Sequence, residues 1–256
     1  MTVNLAARTR PSSSQLLARI LETPDLATAV RELPAPALAK LIDRVGLEDA
    51  GELVALATTE QLARVFDEDL WRSDRAGGDE RFDAERFLVW LAVMLEAGDA
   101  FVAEKLTELP PDLVTLAFHQ QLLVLDTDTL MTELEDSDDA AASEKALSNC
   151  LSEEVSEYQL IARNHEGWDD VLAAILALDR DHHDYLRGLL ERCAALSTEY
   201  IEDNGGLYDV LTSEQMLEAD VAAEREDRRA EEGHVAPSSA AAFLKLARAA
   251  IASPPR

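Results

Sequence analysis

From Pro36 onward the apolar positions of the chain return in the same arrangement every 12 residues. Pro36-Ala37-Leu38-Ala39-Lys40-Leu41-Ile42 aligns with Glu48-Asp49-Ala50-Gly51-Glu52-Leu53-Val54 and with Glu60-Gln61-Leu62-Ala63-Arg64-Val65-Phe66. In each unit a small or apolar third residue is followed three and four positions later by an apolar pair, the spacing of one helix face. A unit of this length holds about two helical turns and a short connection, so consecutive helices must reverse direction and stack. None can bury its apolar stripe alone, and each neighbour supplies the missing cover, as in solenoids. Pro111-Asp112-Leu113-Val114-Thr115-Leu116-Ala117 reads as a later copy.

The flanking segments extend the helical reading. Thr23-Pro24-Asp25 predicts a helix start, with Thr23 as cap and Pro24 at the first helical position, and that helix closes before Pro34. Trp71 to Asp83, with Gly77-Gly78 and several charges, reads as a loop. Asp83 then caps a strong helix: Phe82 and Phe87 have hydrophobic-staple spacing, and Phe87, Leu88, Leu91, Met94 and Leu95 continue its buried stripe beside Trp90. Asp126 to Ala142 interrupts the pattern, because Glu133, Glu135, Asp136, Asp138 and Asp139 crowd together with no basic residue among them; it predicts an acidic loop. Val155–Ala162 (VSEYQLIA) is the one stretch with the look of a short strand. Trp168–Leu178 and His182–Leu196 are helical in pattern, and Asn204-Gly205-Gly206 is a stop. Thr212 to Gln215 forms a capping box for a helix running toward Gly233, whose charged second half is expected to project into solvent or carry a partner. A last amphipathic helix follows Pro237, with Phe243, Leu246, Ala247, Ala250 and Ile251 on its buried side.

These elements predict an all-α fold: an array of short antiparallel helices over residues 1–125, an acidic linker over 126–150 and a second helical unit over 151–256. Composition agrees. Aromatics are only 5% of the chain, and Ala and Leu dominate its apolar positions, a choice that favours helix over strand. Charge narrows the function. With 51 Asp+Glu against 23 Lys+Arg the formal net charge is -28, which repels phosphate backbones and anionic headgroups, so nucleic-acid partners are not expected. No apolar run is long enough to cross a bilayer, and the first 24 residues have no signal-peptide core; membrane insertion is not expected and a cytoplasmic setting is. Cys150 and Cys193 have neither disulfide-framework nor zinc-site spacing.

The segment from Leu33 through Asp69, LPAPALAKLIDRVGLEDAGELVALATTEQLARVFDED, resembles the N-terminal superhelical domain of MgtE-type magnesium transporters. The resemblance implies a cytoplasmic helical superhelix whose acidic surface helps bind Mg²⁺ against a regulatory domain. The chain shows no transmembrane pore segment and no CBS pair, so transport itself is not expected. Two later phrases, ARNHEGWDDVLAAILALDRDHHDYLRGLLERC and LYDVLTSEQMLEADVAAEREDRRAEEGHVAPSSAAAFLKLAR, are similar to an uncharacterised bacterial family, a domain of unknown function in which an MgtE-like array also comes first. That second resemblance spans nearly the whole chain and implies no activity.

The densest cluster of side chains with chemistry is His165-Glu166-Gly167-Trp168-Asp169-Asp170 together with Asp179-Arg180-Asp181-His182-His183-Asp184. Imidazoles and carboxylates suit Zn²⁺, Mn²⁺ or Fe²⁺, which makes His165, Glu166, Asp181, His182 and His183 the candidate metal ligands. The spacing disfavours one site: His182 and His183 point about 100° apart on a helix, and neither His-Glu-x-x-His nor paired Glu-x-x-His motifs occur. Nucleophile elbows, P-loops and dinucleotide fingerprints are absent too, so no catalytic residue is assigned and no cofactor is expected beyond a divalent cation. The expectation is a non-catalytic protein-protein interaction or scaffold module for a basic partner. A Mg²⁺-responsive regulator is the first alternative and a metal-dependent hydrolase the second.

Overall fold

The structure is a computed structural model describing residues 12–73, 75, 78, 80–128, 150–203, 213–235, 240 and 243–245. Helix α1 (Ser13–Leu21) opens with a capping box in which Gln15 N–H donates to Ser12 Oγ at 3.3 Å. Helix α2 (Leu26–Arg31) starts later than Thr23-Pro24 predicts. Asp25 precedes it in the left-handed region, φ 54°, which a short polar side chain tolerates, and Pro24 lies in the connection from α1.

Helices α3 (Ala35–Val45), α4 (Gly51–Leu56) and α5 (Thr59–Asp69) carry the 12-residue units. The register seen in the sequence is the buried face: Leu38 and Ile42, then Ala50, Leu53 and Val54, then Leu62, Val65 and Phe66 are all within 3% of full burial. Helix α1 packs on α3, α3 on α5 and α2 on α4. Gln61 locks this stack. Its Oε1 accepts from Thr58 N–H at 2.9 Å while its Nε2 donates to Val30 O at 2.8 Å and Leu33 O at 2.7 Å, so the cap of α5 also closes the end of α2.

The stretch read as a loop after α5 contains two short strands. β1 (Trp71–Arg72) and β2 (Arg81–Phe82) pair antiparallel, and the rings of Trp71 and Phe82 meet edge to face at 5.9 Å. Helix α6 (Ala84–Glu96) follows with the expected start: Asp83 Oδ1 accepts from Arg86 N–H at 3.0 Å, and the Phe82 and Phe87 rings lie 6.3 Å apart. Trp90 is fully buried, and its indole N–H donates to Asp69 Oδ2 at 2.6 Å. Helices α7 (Asp99–Glu108) and α8 (Pro111–His119) complete this part, with the late repeat copy buried at Leu113, Leu116 and Ala117.

A purely all-α fold does not hold, because the chain next builds a three-stranded antiparallel sheet in the order β3-β5-β4. β3 (Leu122–Asp126) pairs with β5 (Tyr158–Ala162) so that Val124 faces Leu160 and Asp126 faces Tyr158; β4 (Ser152–Val155) joins β5 through a two-residue turn at Ser156-Glu157. The stretch 155–162, expected as one short strand, is instead the end of β4, the turn and the whole of β5: Tyr158 and Leu160 are buried on one face of β5 and Val155, paired with Tyr158, is buried with them, while Ile161 is buried as well. The outer edge of β3 is closed by a helix, with Val124 N–H donating to Ser197 Oγ at 3.1 Å. Glu133 to Asp139 lie outside the described residues.

Helix α9 (Trp168–Asp181) packs on α6 and α7, and α10 (His183–Asp203) on α8 and β3. Helix α11 (Ser213–Glu231) lies across α5, α8, α10 and β2. One hydrophobic cluster runs from Val30 to Val221 and takes in residues from both sides of the 126–150 segment. Thr212 and most of the expected last helix lie outside the described residues; Phe243, within them, is exposed rather than buried. No helix among the described residues is long and apolar enough to cross a membrane.

Candidate functional site

Helix α6 has more apolar surface than its core face uses. Beside the buried Phe87, Trp90, Leu91 and Met94 it presents a second stripe of Leu88, Val89 and Ala92, which with Val93 floors a groove of about 810 Å³. Glu85 and Glu96 stand at the two ends of that stripe. The connection from α3 to α4 adds Glu48 on one side, and the β5–α9 connection adds Asn164, His165, Glu166 and Gly167, with Asp170 from the first turn of α9, on the other. Five carboxylates therefore ring an apolar floor, and among the described residues no Lys or Arg lines it.

Two geometrical details shape the wall. Gly167, the residue before α9, has φ 74° and sits so close to the floor that a Cβ there would meet Leu88 Cδ1 at 2.7 Å. Asp169 and Asp170 occupy the first turn of α9, where their charge offsets the positive end of the helix dipole. Opposite charges about 4 Å apart interact by about 4 kcal/mol at a protein surface before desolvation and side-chain entropy are counted. Exposed pairs retain about 0–1 kcal/mol of that. A rim of this sign favours cations over anions, and an apolar floor gains free energy when covered.

Of the candidate metal ligands, His165 and Glu166 are in this groove, both exposed. Asp181, His182 and His183 lie at the other end of the 14-residue helix α9, about 20 Å away at 1.5 Å per residue. There His183 Nδ1 pairs with Asp179 at 2.8 Å, and Asp181 is held by Arg180 at 2.7 Å, a hydrogen bond that keeps its carboxyl below the usual range. The His182 N–H closes α9 by donating to Leu178 O. Among the described residues no three His, Cys, Asp or Glu side chains are placed to hold one metal ion.

The charged half of α11 departs from expectation, since its arginines turn inward. Arg225, 4% exposed in its side chain, pairs with Glu80 at 2.6 Å, donates to Asp67 O and lies over the Trp71 ring at 4.8 Å. Arg228 binds both oxygens of buried Asp67, at 2.8 and 2.5 Å, and hydrogen bonding to that carboxylate raises its guanidinium above the ordinary value. Arg229 reaches Glu68 and Glu80, both at 3.3 Å. Long stems make this possible: arginine covers apolar surface with its methylenes while the head finds an acid.

The sequence reading missed the groove floor, although its signal was present as Leu88, Val89 and Ala92 bounded by Glu85 and Glu96 at helical spacing. The missed Asp67 cluster had only a weak signal, arginines at i, i+3 and i+4.

Fold and site together define a mostly helical protein with two small antiparallel sheets and an acid-rimmed apolar groove. The chain belongs to a family of unknown function (DUF6178), whose profile matches residues 8–204 and so reaches the end of α10. No curated protein and no solved structure matches it.

Proposed function

We propose that the protein is a non-catalytic interaction module whose α6 groove receives a basic, amphipathic segment of a partner protein. The observation that carries this reading is the pairing of an apolar floor with five carboxylates and no lining Lys or Arg. A Lys/Leu-type helix matches both features, with its apolar stripe on Leu88, Val89 and Ala92 and its cations toward Glu85, Glu96 and Glu166. The setting is cytoplasmic in this reading, which two unbridged cysteines suit.

The test is titration of a fluorescent Lys/Leu amphipathic peptide into the full chain. Glu85→Gln with Glu166→Gln is expected to weaken binding at least tenfold at low salt. Glu153→Gln with Glu154→Gln, the same change of charge on exposed β4, changes it little. Equal losses from both pairs would mean attraction to net charge alone and would refute the groove.

A divalent-cation response, implied by the likeness of Leu33–Asp69 to the magnesium-transporter domain, draws on the same rim. Carboxylates that do not converge on one point screen rather than chelate. Millimolar Mg²⁺ is therefore expected to act on peptide binding only as NaCl of equal ionic strength does. A saturable, Mg²⁺-specific rise in melting temperature would make cation response the better reading.

A further inference from the structure

The chain itself carries a segment that complements the α6 groove. From Gly233 to Arg256 the sequence has no Asp or Glu, while Lys245, Arg248 and Arg256 are basic. Within that stretch Phe243, Leu246, Ala247, Ala250 and Ile251 recur at helical spacing, with Arg248 beside the edge of the stripe they make. Residues 243–245 are helical, yet Phe243 is 69% and Leu244 54% exposed. Covering such a stripe gains free energy in proportion to the apolar area removed from water. The other long stretch without acids, residues 1–21, is already committed, because α1 packs on α3 with Leu16, Leu17 and Ile20 against the core. On the reading of the groove as a seat for basic amphipathic segments, we infer that residues 240–251 dock there in their own chain, where a partner's segment must displace them.

Chain path and charge select this segment over that of a second copy. Glu232 and His234, past the end of α11, line a cavity with Arg86 and Trp90 of α6 and Asp43 of α3. The groove lies on neighbouring positions of the same elements, at Glu85 and Val89 of α6 and at Glu48 just beyond α3. From Val235 to Phe243 the chain advances about eight residues, an extended reach of about 26 Å, and the helix to be rounded is about 10–12 Å across. A tether this short gives an effective concentration in the millimolar range. A second copy brings its own net charge of -28 toward the first, and that repulsion opposes the encounter. Among the described residues none of the five rim carboxylates forms an ion pair, so the rim is open to Arg248 while the Phe243 stripe covers Leu88, Val89 and Ala92. A partner then meets a groove that is only partly free, and its apparent affinity falls by the free fraction.

The experiment uses the full chain and the fluorescent Lys/Leu peptide. Phe243→Ser with Leu246→Ser removes the stripe without changing charge, and an unchanged melting temperature checks that the fold is kept. Leu176→Ser with Met216→Ser, at two exposed apolar positions away from the segment, is the control. The Phe243 and Leu246 variant is expected to bind the peptide at least threefold more tightly than wild type, by the same factor at every protein concentration. Before peptide is added, it should also exchange amide hydrogens faster over α6 and residues 164–170. The control matches wild type in both measurements. Peptide binding with no gain in the variant, or with a gain that the control shares, overturns the self-docking and leaves the interaction reading standing. A gain that grows with protein concentration and accompanies dimers in sedimentation assigns the seat to a second copy and overturns it as well. Failure of the Lys/Leu peptide to bind wild type and variant alike, with equal exchange over α6, removes the interaction reading and the self-docking together.

Discussion

Gly167 stands where the groove wall turns into α9, and two constraints fall on it together: a positive φ of 74° and a side-chain position already filled by Leu88. Alanine there is strained in the backbone and displaces Leu88 from the floor, so Gly167→Ala is expected to lower stability by about 1–3 kcal/mol in chemical denaturation. Cys193 carries a second prediction. Burial pushes its thiol up to about 12. Its folded value lies above the unfolded one near 9, so the stabilisation from keeping the thiol neutral is complete below about pH 9 and is lost as pH rises toward 12. Wild type should lose stability over that window more steeply than Cys193→Ala, measured by urea midpoints across pH; parallel slopes would refute the assignment. Iodoacetamide at pH 8 should add one label to the native chain, at exposed Cys150, and leave Cys193 unmodified.

Among the helices, α11 is held differently from the rest. Its buried apolar contribution is Val221, with Leu217 and Ala222 half-buried, while Arg225, Arg228 and Arg229 bind Asp67, Glu68 and Glu80. Removing one partner of a buried pair costs about 3–5 kcal/mol when the other charge stays buried. Here α11 can lift and let Asp67 hydrate, which caps the loss at the free energy of docking. Arg225→Gln with Arg228→Gln should therefore raise hydrogen exchange across 213–231 while leaving that of α9 near wild type; unchanged exchange in α11 would show that Val221 and its neighbours suffice. Such a seat is hard to foresee from the chain. Arginines at i, i+3 and i+4 look the same on a solvated helix, and their acids lie about 150 residues earlier. The repeat is the opposite case: Leu38, Leu53 and Val65 announce burial because a helix face is a local property. Strand β5 was readable from the alternation of Tyr158 and Leu160. β3 was not, since LLVLD suits a helix by composition and becomes a strand through pairing with residues more than thirty positions away.

The whole molecule turns this acidity into a located feature. The net charge of -28 is plain in the sequence, but any solvated acidic protein shares it. The groove exists only after folding: Glu48 comes from the helical array, Glu85 and Glu96 from α6, and Glu166 and Asp170 from beyond the sheet, joined by a continuous core. His165 and Glu166, candidate metal ligands by residue type, stand in that rim. Hydrogen exchange of the full chain with and without a saturating Lys/Leu amphipathic peptide tests this account most directly. Protection confined to α6 and residues 164–170 is the predicted result. Protection spread over acidic surfaces such as β4, or centred on α11, with α6 unchanged, would contradict it.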